Sequence, residues 1–324
     1  MQKRVPGEGF ITEEMYRAAT NYYIQGETME SIARDLNLSR SSVSRLLTRA
    51  REIGLVRISV GTGSQTMLAL SLGMTFGVRV HVWTAQARTD PGARFDGVAR
   101  MAARLITDLV EDDQVIGVAW GLTMSKVAEH LGRRPLTGIK VVQLMGSGNA
   151  RTSGVTYASD MLGRFGESFG AEVVLFPVPA FFDFVETREA MWRERSIQTV
   201  LALREHLDLA VFGVGSLGAD IPSHVYAGDY LGDADYARLA AFGAVGDVCT
   251  VLLREDGTWD GIPGNERSTG PTPADLANVP RRICVVGDPS RAAATLGALR
   301  AGVVTDLVCD DLTAHAVAAR AGLP

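Results

Sequence analysis

The sequence contains little cysteine and little lysine. Its three cysteines are Cys249, Cys284 and Cys309. They are too few and too far apart for a disulfide framework or a Cys-x-x-Cys metal site, and each lies in an apolar run, so we predict buried thiols. Of the 32 basic residues, the only lysines are Lys3, Lys126 and Lys140. This scarcity weakens any hypothesis of Schiff-base catalysis, because such chemistry needs a desolvated lysine amine.

Long apolar runs are also missing. The longest, residues 173–182, is interrupted by Pro177 and Pro179, and it is much shorter than the ~20 residues that a membrane-spanning helix needs. Lys3 and Arg4 are not followed by an apolar segment, so no secretory signal is predicted. We therefore expect a cytoplasmic protein with no membrane partner.

The composition fits a folded protein of about two domains. The chain has 324 residues, 46% of them hydrophobic, and a net charge of −5, which excludes a disordered chain. The charge is unevenly distributed: residues 1–57 carry +2 and residues 58–324 carry −7. Residues 39–57 contain five arginines and one glutamate. A local excess of +4 in an acidic protein indicates a polyanionic partner.

The N-terminal segment has the pattern of three helices. Residues 11–25 form the first, and Thr28 is a plausible N-cap for a second helix with apolar residues at i, i+3, i+4 and i+7. Asn37 suits a tight turn, and Ser39 caps a third helix whose apolar face ends near Gly54. Two short amphipathic helices across such a turn are typical of a helix-turn-helix.

The third helix carries groups that suit DNA. Guanidinium forks can bind guanine edges or phosphates, and short hydroxyls can bind bases or the backbone. The alternative is an ordinary helical hairpin with a solvated basic face. The candidate DNA-binding residues are Thr28, Ser39, Arg40, Ser41, Ser42, Ser44, Arg45 and Arg49.

The remainder of the chain has the pattern of a doubly wound α/β domain with a largely parallel sheet. The glycine-containing segment 61–64 is the predicted flexible linker, so we place a helix-turn-helix domain at residues 1–60 and a second domain at residues 61–324. Strands are predicted at residues 80–83, 115–119, 140–145, 172–176, 209–214, 247–253, 282–287 and 303–309.

Ligands of such sheets bind beyond the carboxyl ends of the strands, so the strand-to-helix junctions contain the candidate site. Free amides and hydroxyls at helix starts can bind an anion or sugar hydroxyls, glycines allow close backbone approach, and carboxylate or guanidinium groups add polar partners. For each junction taken alone, the alternative is a plain strand-to-helix turn or a set of solvent-exposed polar residues that binds no ligand. The candidate effector-binding residues are Gly121, Thr123, Ser125, Gly146, Ser147, Gly148, Arg151, Asp247, Asp288 and Arg291.

Other site types are not supported. The loop around Gly146 and Gly148 lacks both the Lys-Ser/Thr ending of a Walker loop and the third glycine of a dinucleotide fingerprint. The five histidines lack ligand spacing, and no residues are assigned to catalysis, a metal or a cofactor.

Residues 30–56, ESIARDLNLSRSSVSRLLTRAREIGLV, resemble the N-terminal domain of SorC-family bacterial transcriptional regulators, especially where the third helix runs on into a strand-like segment at residues 56–60. The large domain resembles the effector domain of that family in the motifs WGLT (120–123), VQLMG (142–146), FPVPA (176–180), GVG (213–215), GAVGD (243–247) and the segment 293–320.

The resemblance implies a winged-helix-like DNA-binding domain and an effector domain related to ribose-5-phosphate isomerase and glucosamine-6-phosphate deaminase-like folds. It also implies a sugar, polyol or sugar-phosphate effector, double-stranded operator DNA as a partner, and a homodimer or homotetramer. Two departures stand out: Arg291 replaces a common lysine, and Asp288 adds a carboxylate near the presumed anion pocket. Repulsion by Asp288 would disfavour a phosphorylated effector and make an uncharged sugar or polyol more plausible here than elsewhere in the family.

We therefore predict a transcriptional regulator of a carbohydrate-utilisation operon. The alternative is an active sugar-phosphate isomerase or deaminase with an appended DNA-binding domain, in which Asp247 and Asp288 would act as acid and base. The sequence offers no evident proton-transfer pair close to Asp247, and the chain is poor in lysine. Both observations favour a regulator over an enzyme.

Overall fold

The chain divides into two compact units, Met1–Thr62 and Gly63–Pro324. The structure is a computed structural model that describes residues 12–53, 55–56, 63–85, 89–149, 155–219 and 233–323. Within these residues, no helix combines the length and the apolar character needed to cross a membrane.

The first unit contains three helices: α1 (Glu13–Tyr23), α2 (Met29–Asp35) and α3 (Arg40–Glu52). Helix α1 begins later than predicted, because Thr12 caps it. The other two predicted caps are confirmed: the Thr28 hydroxyl accepts a hydrogen bond from the Ser31 amide at 3.2 Å, and the Ser39 hydroxyl accepts one from Ser42 at 3.1 Å.

The turn between α2 and α3 and the core beneath it also match the sequence pattern. Asn37 adopts a left-handed conformation with φ 54°, which an asparagine tolerates better than most residues. Ile32 of α2 and Val43 of α3 are fully buried, so the apolar stripes of the two helices face each other. The predicted strand-like segment 56–60 lies outside the described residues except for Val56, which is in a bend.

The second unit is built on a sheet in the order β1-β9-β8-β5-β2-β3-β4, and all six of these pairings are parallel. The strands are β1 (Arg79–Trp83), β2 (Val115–Val118), β3 (Lys140–Gln143), β4 (Glu172–Val174), β5 (Leu209–Ser216), β6 (Ala244–Val248), β7 (Val251–Arg254), β8 (Arg281–Val286) and β9 (Asp306–Asp310). The prediction of an α/β domain with a largely parallel sheet is confirmed.

Helices connect and cover these strands. Their bounds are α4 (Gly63–Phe76), α5 (Pro91–Leu109), α6 (Leu122–Glu129), α7 (Val155–Phe169), α8 (Val185–Met191), α9 (Arg195–Arg204), α10 (Asp233–Ala241), α11 (Pro273–Ala277), α12 (Ala292–Arg300) and α13 (Asp311–Arg320). The prediction of a flexible linker over residues 61–64 is wrong for Gly63 and Ser64, which begin α4, and residues 61 and 62 lie outside the described residues.

The prediction of one strand over residues 247–253 is wrong. The chain reverses at Cys249 and Thr250, so that β6 and β7 pair antiparallel, and β6 also pairs antiparallel with β5. Both turn residues have positive φ, 50° and 69°, as the tightest hairpin turns require. Asp247 therefore lies near the end of a strand and not at its head.

The strand order reverses between β2 and β5. From β2 the chain continues outward through β3 and β4, whereas β8 and β9 lie on the other side of β5. Between two such neighbouring strands the connecting segments diverge and leave a crevice at the carboxyl ends. This geometry marks the ends of β2 and β5 as the place for a ligand.

Candidate functional site

A cleft lies at the carboxyl ends of β2 and β5. Its empty volume, including the part open to solvent, is about 530 Å³, which limits a ligand to a small molecule. The described residues that line it are 119–124, 213–215, Met145, Asp247, Cys249 and Arg291. The cleft thus combines the β2–α6 junction, the end of β5, the β6–β7 turn and the start of α12.

The β2–α6 junction contributes backbone groups. Gly121, the N-cap of α6, has φ 143° and provides no side-chain hydrogen bond to the first helical turn. Amides at a helix start carry partial positive charge and attract oxygen atoms with lone pairs. The Thr123 side chain lies beside Gly213, where an added Cβ would be 3.4 Å from the Thr123 hydroxyl. This corner therefore has both donors and a hydroxyl.

Asp247 brings a buried carboxylate to the cleft. Its side chain accepts a hydrogen bond from the Thr250 amide at 2.9 Å, and the residue is 4% exposed. The Thr250 hydroxyl in turn shares a hydrogen bond of 2.8 Å with Ser268. A tight turn made of two residues other than glycine is strained, and this network holds it in place.

Arg291 supplies the guanidinium of the cleft. It donates to the Val214 carbonyl at 2.7 Å and forms an ion pair with Asp288 at 3.4 Å. Asp288 also accepts hydrogen bonds from the amide and the hydroxyl of Ser290. Asp288 is not among the described lining residues, and its ion pair with Arg291 offsets part of the charge of that guanidinium.

The loop after β3 supports one wall of the cleft. The Trp120 indole donates to the Gly146 carbonyl at 2.8 Å, and the Gly146 amide donates to the Thr269 hydroxyl at 3.0 Å. A Cβ at Gly146 would lie 2.2 Å from the Pro179 carbonyl oxygen. We expected Gly146 to allow close approach of a ligand; in the structure, the backbone of Val178 and Pro179 approaches it and leaves no room for a side chain.

The neighbouring candidates share this supporting position. The amides of Ser147 and Gly148 both donate to the Val178 carbonyl, and the Ser125 hydroxyl bonds to that of Tyr157 at 2.7 Å. Arg151 lies outside the described residues.

The structure thus brings four of the predicted residues together in the cleft: Gly121, Thr123, Asp247 and Arg291. The other predicted residues that the structure describes are not among the lining residues.

Several lining residues were not predicted, among them Trp120, Met145, Gly213, Gly215 and Cys249. The glycines of β5 carried a signal, because a glycine inside a strand often marks a place where a ligand or another backbone segment approaches closely. Cys249 is buried as predicted. Its position in the cleft depends on the hairpin turn, which the apolar pattern of residues 247–253 did not reveal.

The N-terminal unit exposes a basic helix face. Ser41, Ser44, Arg45 and Arg49 of α3 are exposed, as is Arg40 at its first position. The Arg45 guanidinium donates to the Ser42 hydroxyl at 3.3 Å. Two other arginines pair with carboxylates: Arg49 with Glu52 at 3.2 Å and Arg40 with Glu30 at 2.7 Å.

Comparison with known proteins identifies the family of the second unit. Residues 63–319 match the family described as "Putative sugar-binding domain". The deoxyribonucleoside regulator of Bacillus subtilis strain 168 is 29% identical over 93% of this chain and 95% of its own length.

Two solved structures are also similar. The domain of a possible sugar-binding transcriptional regulator from Arthrobacter aurescens TC1 is 45% identical, covers 81% of this chain and 99% of that chain, and has a TM-score of 0.74. The full-length sorbitol operon regulator SorC from Klebsiella pneumoniae is 23% identical and covers 94% of this chain and 97% of that chain. Its TM-score of 0.72 shows a shared fold. The chain therefore belongs to the "Putative sugar-binding domain" family, and its resemblance to SorC-type transcriptional regulators is confirmed.

Proposed function

We propose that this protein is a DNA-binding transcriptional regulator of carbohydrate use whose second unit binds an uncharged sugar or polyol. One observation carries the proposal for the effector: Gly121, Thr123, Asp247 and Arg291, from three separate segments, line a single cleft. The cleft lies where the strand order reverses, the usual ligand position in such sheets. Relatives named for a deoxyribonucleoside and for sorbitol support a carbohydrate ligand.

The charges favour a neutral effector. Among the described lining residues, the charged side chains are Asp247 and Arg291, whose formal charges cancel. Arg291 is already paired with Asp288, so little positive charge remains for a phosphate. A carboxylate oxygen, helix-start amides and a hydroxyl instead match the donors and acceptors of sugar hydroxyls. Asp288 thus acts by neutralising Arg291 and not by facing the ligand.

The N-terminal unit is the proposed DNA-binding part. Helices α2 and α3, joined by the Asn37 turn, support a helix-turn-helix, and α3 presents hydroxyls and guanidinium groups on its exposed face. Thr28 and Ser39 hold the two helix starts through their capping hydrogen bonds. A homodimer or homotetramer would provide two such helices for the half-sites of an operator.

Regulation requires that the two binding events be coupled. An effector changes operator affinity only by the difference in its own affinity for the DNA-bound and DNA-free forms of the protein. By the same linkage, operator DNA must change effector affinity by an equal factor. Cytoplasmic action follows from this proposed role on DNA.

The described residues of the cleft do not provide the groups that the enzyme alternative needs. Of the two proposed catalytic carboxylates, Asp247 is a lining residue and Asp288 is not. The Asp247 carboxylate accepts a hydrogen bond from the Thr250 amide. The Asp288 carboxylate accepts one from the Ser290 amide and forms an ion pair with Arg291. Burial raises the pKa of the Cys249 thiol well above its ordinary value, so this cysteine is not poised as a thiolate nucleophile. These observations support a binding role in place of catalysis.

A thermal-shift screen of sugars, polyols and their phosphates tests the effector proposal. At a ligand concentration 100 times Kd, binding contributes about 2.7 kcal/mol, a rise in Tm of roughly 5–10 °C for a unit of this size. We expect an uncharged sugar or polyol to give such a rise, and Asp247→Asn to abolish most of it while keeping an acceptor for the Thr250 amide.

The matched control is Asp256→Asn, which removes the same charge from an exposed position in the same unit. This variant should retain the full rise. A rise that survives in Asp247→Asn would exclude Asp247 from the site, and a rise produced by sugar phosphates alone would contradict the neutral-ligand proposal.

A further inference from the structure

The first arginine of α3 is paired with a carboxylate from the preceding helix. The Arg40 Nε atom lies 2.7 Å from Oε1 of Glu30, and both side chains are well exposed, at 70% and 60%. Glu30 is in the first turn of α2, and Arg40 is the first residue of α3. The ion pair therefore connects the two helices at the end of α3 that enters the major groove in a helix-turn-helix.

The stability of the fold does not explain the position of this pair. An exposed ion pair contributes little to folding stability, because solvent screens it and two long side chains lose freedom. A carboxylate on a DNA-facing surface also repels phosphate and opposes binding to DNA of any sequence. The placement of Glu30 thus needs another explanation.

The two arginines near the start of α3 differ in their partners. Arg45 donates to the neutral Ser42 hydroxyl and keeps its full charge. Arg40 has a carboxylate against the Nε atom of its guanidinium, which partly neutralises the charge and does not occupy the edge with the two Nη groups. That edge is the one that forms a fork with the O6 and N7 atoms of guanine.

We propose that Glu30 is a positioning residue for Arg40, which reads a guanine in the major groove, whereas Arg45 contacts phosphate. The proposal rests on the proposed DNA-binding function. Holding the guanidinium in place reduces the side-chain entropy that a base contact would otherwise cost. The carboxylate also makes Arg40 a poor phosphate ligand, and this difference favours operator over unrelated sequence.

Selection from a pool of random-sequence DNA duplexes tests this inference and does not require the operator sequence. The purified full-length chain is mixed with the pool, bound duplexes are recovered and sequenced, and affinity for the unselected pool is measured in parallel. The wild type should enrich half-sites containing a preferred guanine. Glu30→Gln should bind the unselected pool more tightly and lose about 5-fold or more of the preference at that guanine.

Two further variants isolate the role of Glu30. Glu52→Gln removes the carboxylate paired with Arg49 at the opposite end of α3, so it should raise affinity for the pool similarly but keep the guanine preference. Arg40→Lys keeps the positive charge but lacks the planar pair of N–H donors that binds guanine. It should therefore retain affinity for the unselected pool and lose the preference for guanine.

The outcomes separate the inference from the proposed function. Equal guanine preference in Glu30→Gln and Glu52→Gln would overturn the positioning role of Glu30, and a preference that survives in Arg40→Lys would overturn base reading by Arg40. Failure of the wild type to enrich any sequence would instead contradict the proposed function itself, and the inference would fall with it.

Discussion

One carboxylate is buried inside the parallel sheet and is held there by several basic side chains. Asp306, at the start of β9, is fully buried and accepts hydrogen bonds from Arg79 at 2.7 and 2.8 Å and from Arg281 at 3.0 and 3.1 Å. His81 lies 3.1 Å away. Burial alone would raise the pKa of Asp306, but the hydrogen bonds from these basic groups lower it well below its ordinary value. Asp306 therefore stays ionised inside the protein.

This arrangement predicts a specific acid sensitivity. The carboxyl has a lower pKa in the folded chain than in the unfolded chain, where it is about 3.9, so its stabilising contribution is complete above that pH and is lost as the pH falls further. Asp306→Asn should lower the free energy of unfolding at pH 7 by about 1.5–3 kcal/mol, because it weakens the charge-assisted hydrogen bonds from Arg79 and Arg281, which are themselves partly exposed.

Urea unfolding at a series of pH values from 7 to 2 would measure both effects. The variant should also lose less stability than the wild type below about pH 4. Parallel loss of stability in the two proteins over this acid range would show that Asp306 does not carry the predicted contribution.

At the residue scale, the sequence predicts which residues line the cleft better than it predicts which side chains contact one another across the fold. Gly121 and Thr123 were predicted from a local strand-to-helix pattern, and both line the cleft. The Asp306 cluster was not predicted, because its members are far apart along the chain and meet only through the register of β1, β8 and β9. Contacts of this kind depend on strand order, which local periodicity does not contain.

At the element scale, the β6–β7 hairpin shows where sequence patterns fail. Tight two-residue hairpin turns usually contain asparagine, aspartate or glycine, whereas this one consists of Cys249 and Thr250. The apolar residues on both sides therefore look like one continuous strand. The turn forms because tertiary hydrogen bonds hold it: the Asp247 carboxylate binds the Thr250 amide, and Ser268 binds the Thr250 hydroxyl.

Removal of that hydroxyl should weaken the hairpin. We expect Thr250→Val, which keeps the shape of the side chain, to lower the free energy of unfolding by about 1–2 kcal/mol, because Ser268 loses its buried partner. Thr199→Val on the exposed side of α9 is the matched control and should change stability much less. Chemical denaturation measures both, and equal effects would exclude a special role for the turn network.

The N-terminal helices were predicted more completely because their signals are local. Thr28 and Ser39 cap their helices, and Asn37 makes the turn between them. Each of these features involves residues within a few positions of one another. Short-range hydrogen bonds and backbone preferences decide capping and turn formation, so these features do not depend on the remaining fold.

The exposed face of α3 leads to a prediction about DNA affinity. Arg45→Ala should weaken binding to operator and to unrelated DNA by similar factors and reduce the slope of log K against log salt by about 1. Effector affinity should not change. Gel-shift titrations at several salt concentrations test this, with Arg193→Ala, at an exposed position of the second unit, as the charge-matched control. An unchanged slope would remove Arg45 from the phosphate contacts.

At the scale of the whole molecule, strand order accounts for the position of the cleft. Buried apolar strands alternating with helices predicted the α/β class. The reversal between β2 and β5 that locates the ligand was not predicted, because it depends on which strands become neighbours. Once that order is known, the four predicted residues at the cleft follow from the general rule for open parallel sheets.

The central claim is that a small molecule bound in this cleft controls binding to DNA. The most direct measurement is the affinity of the full-length chain for its selected DNA sequence, with and without the sugar or polyol identified by thermal shift. We predict a change in Kd of about 5-fold or more in the wild type and little change in Asp247→Asn at the same ligand concentration. An unchanged Kd in wild-type protein saturated with that ligand would contradict the account.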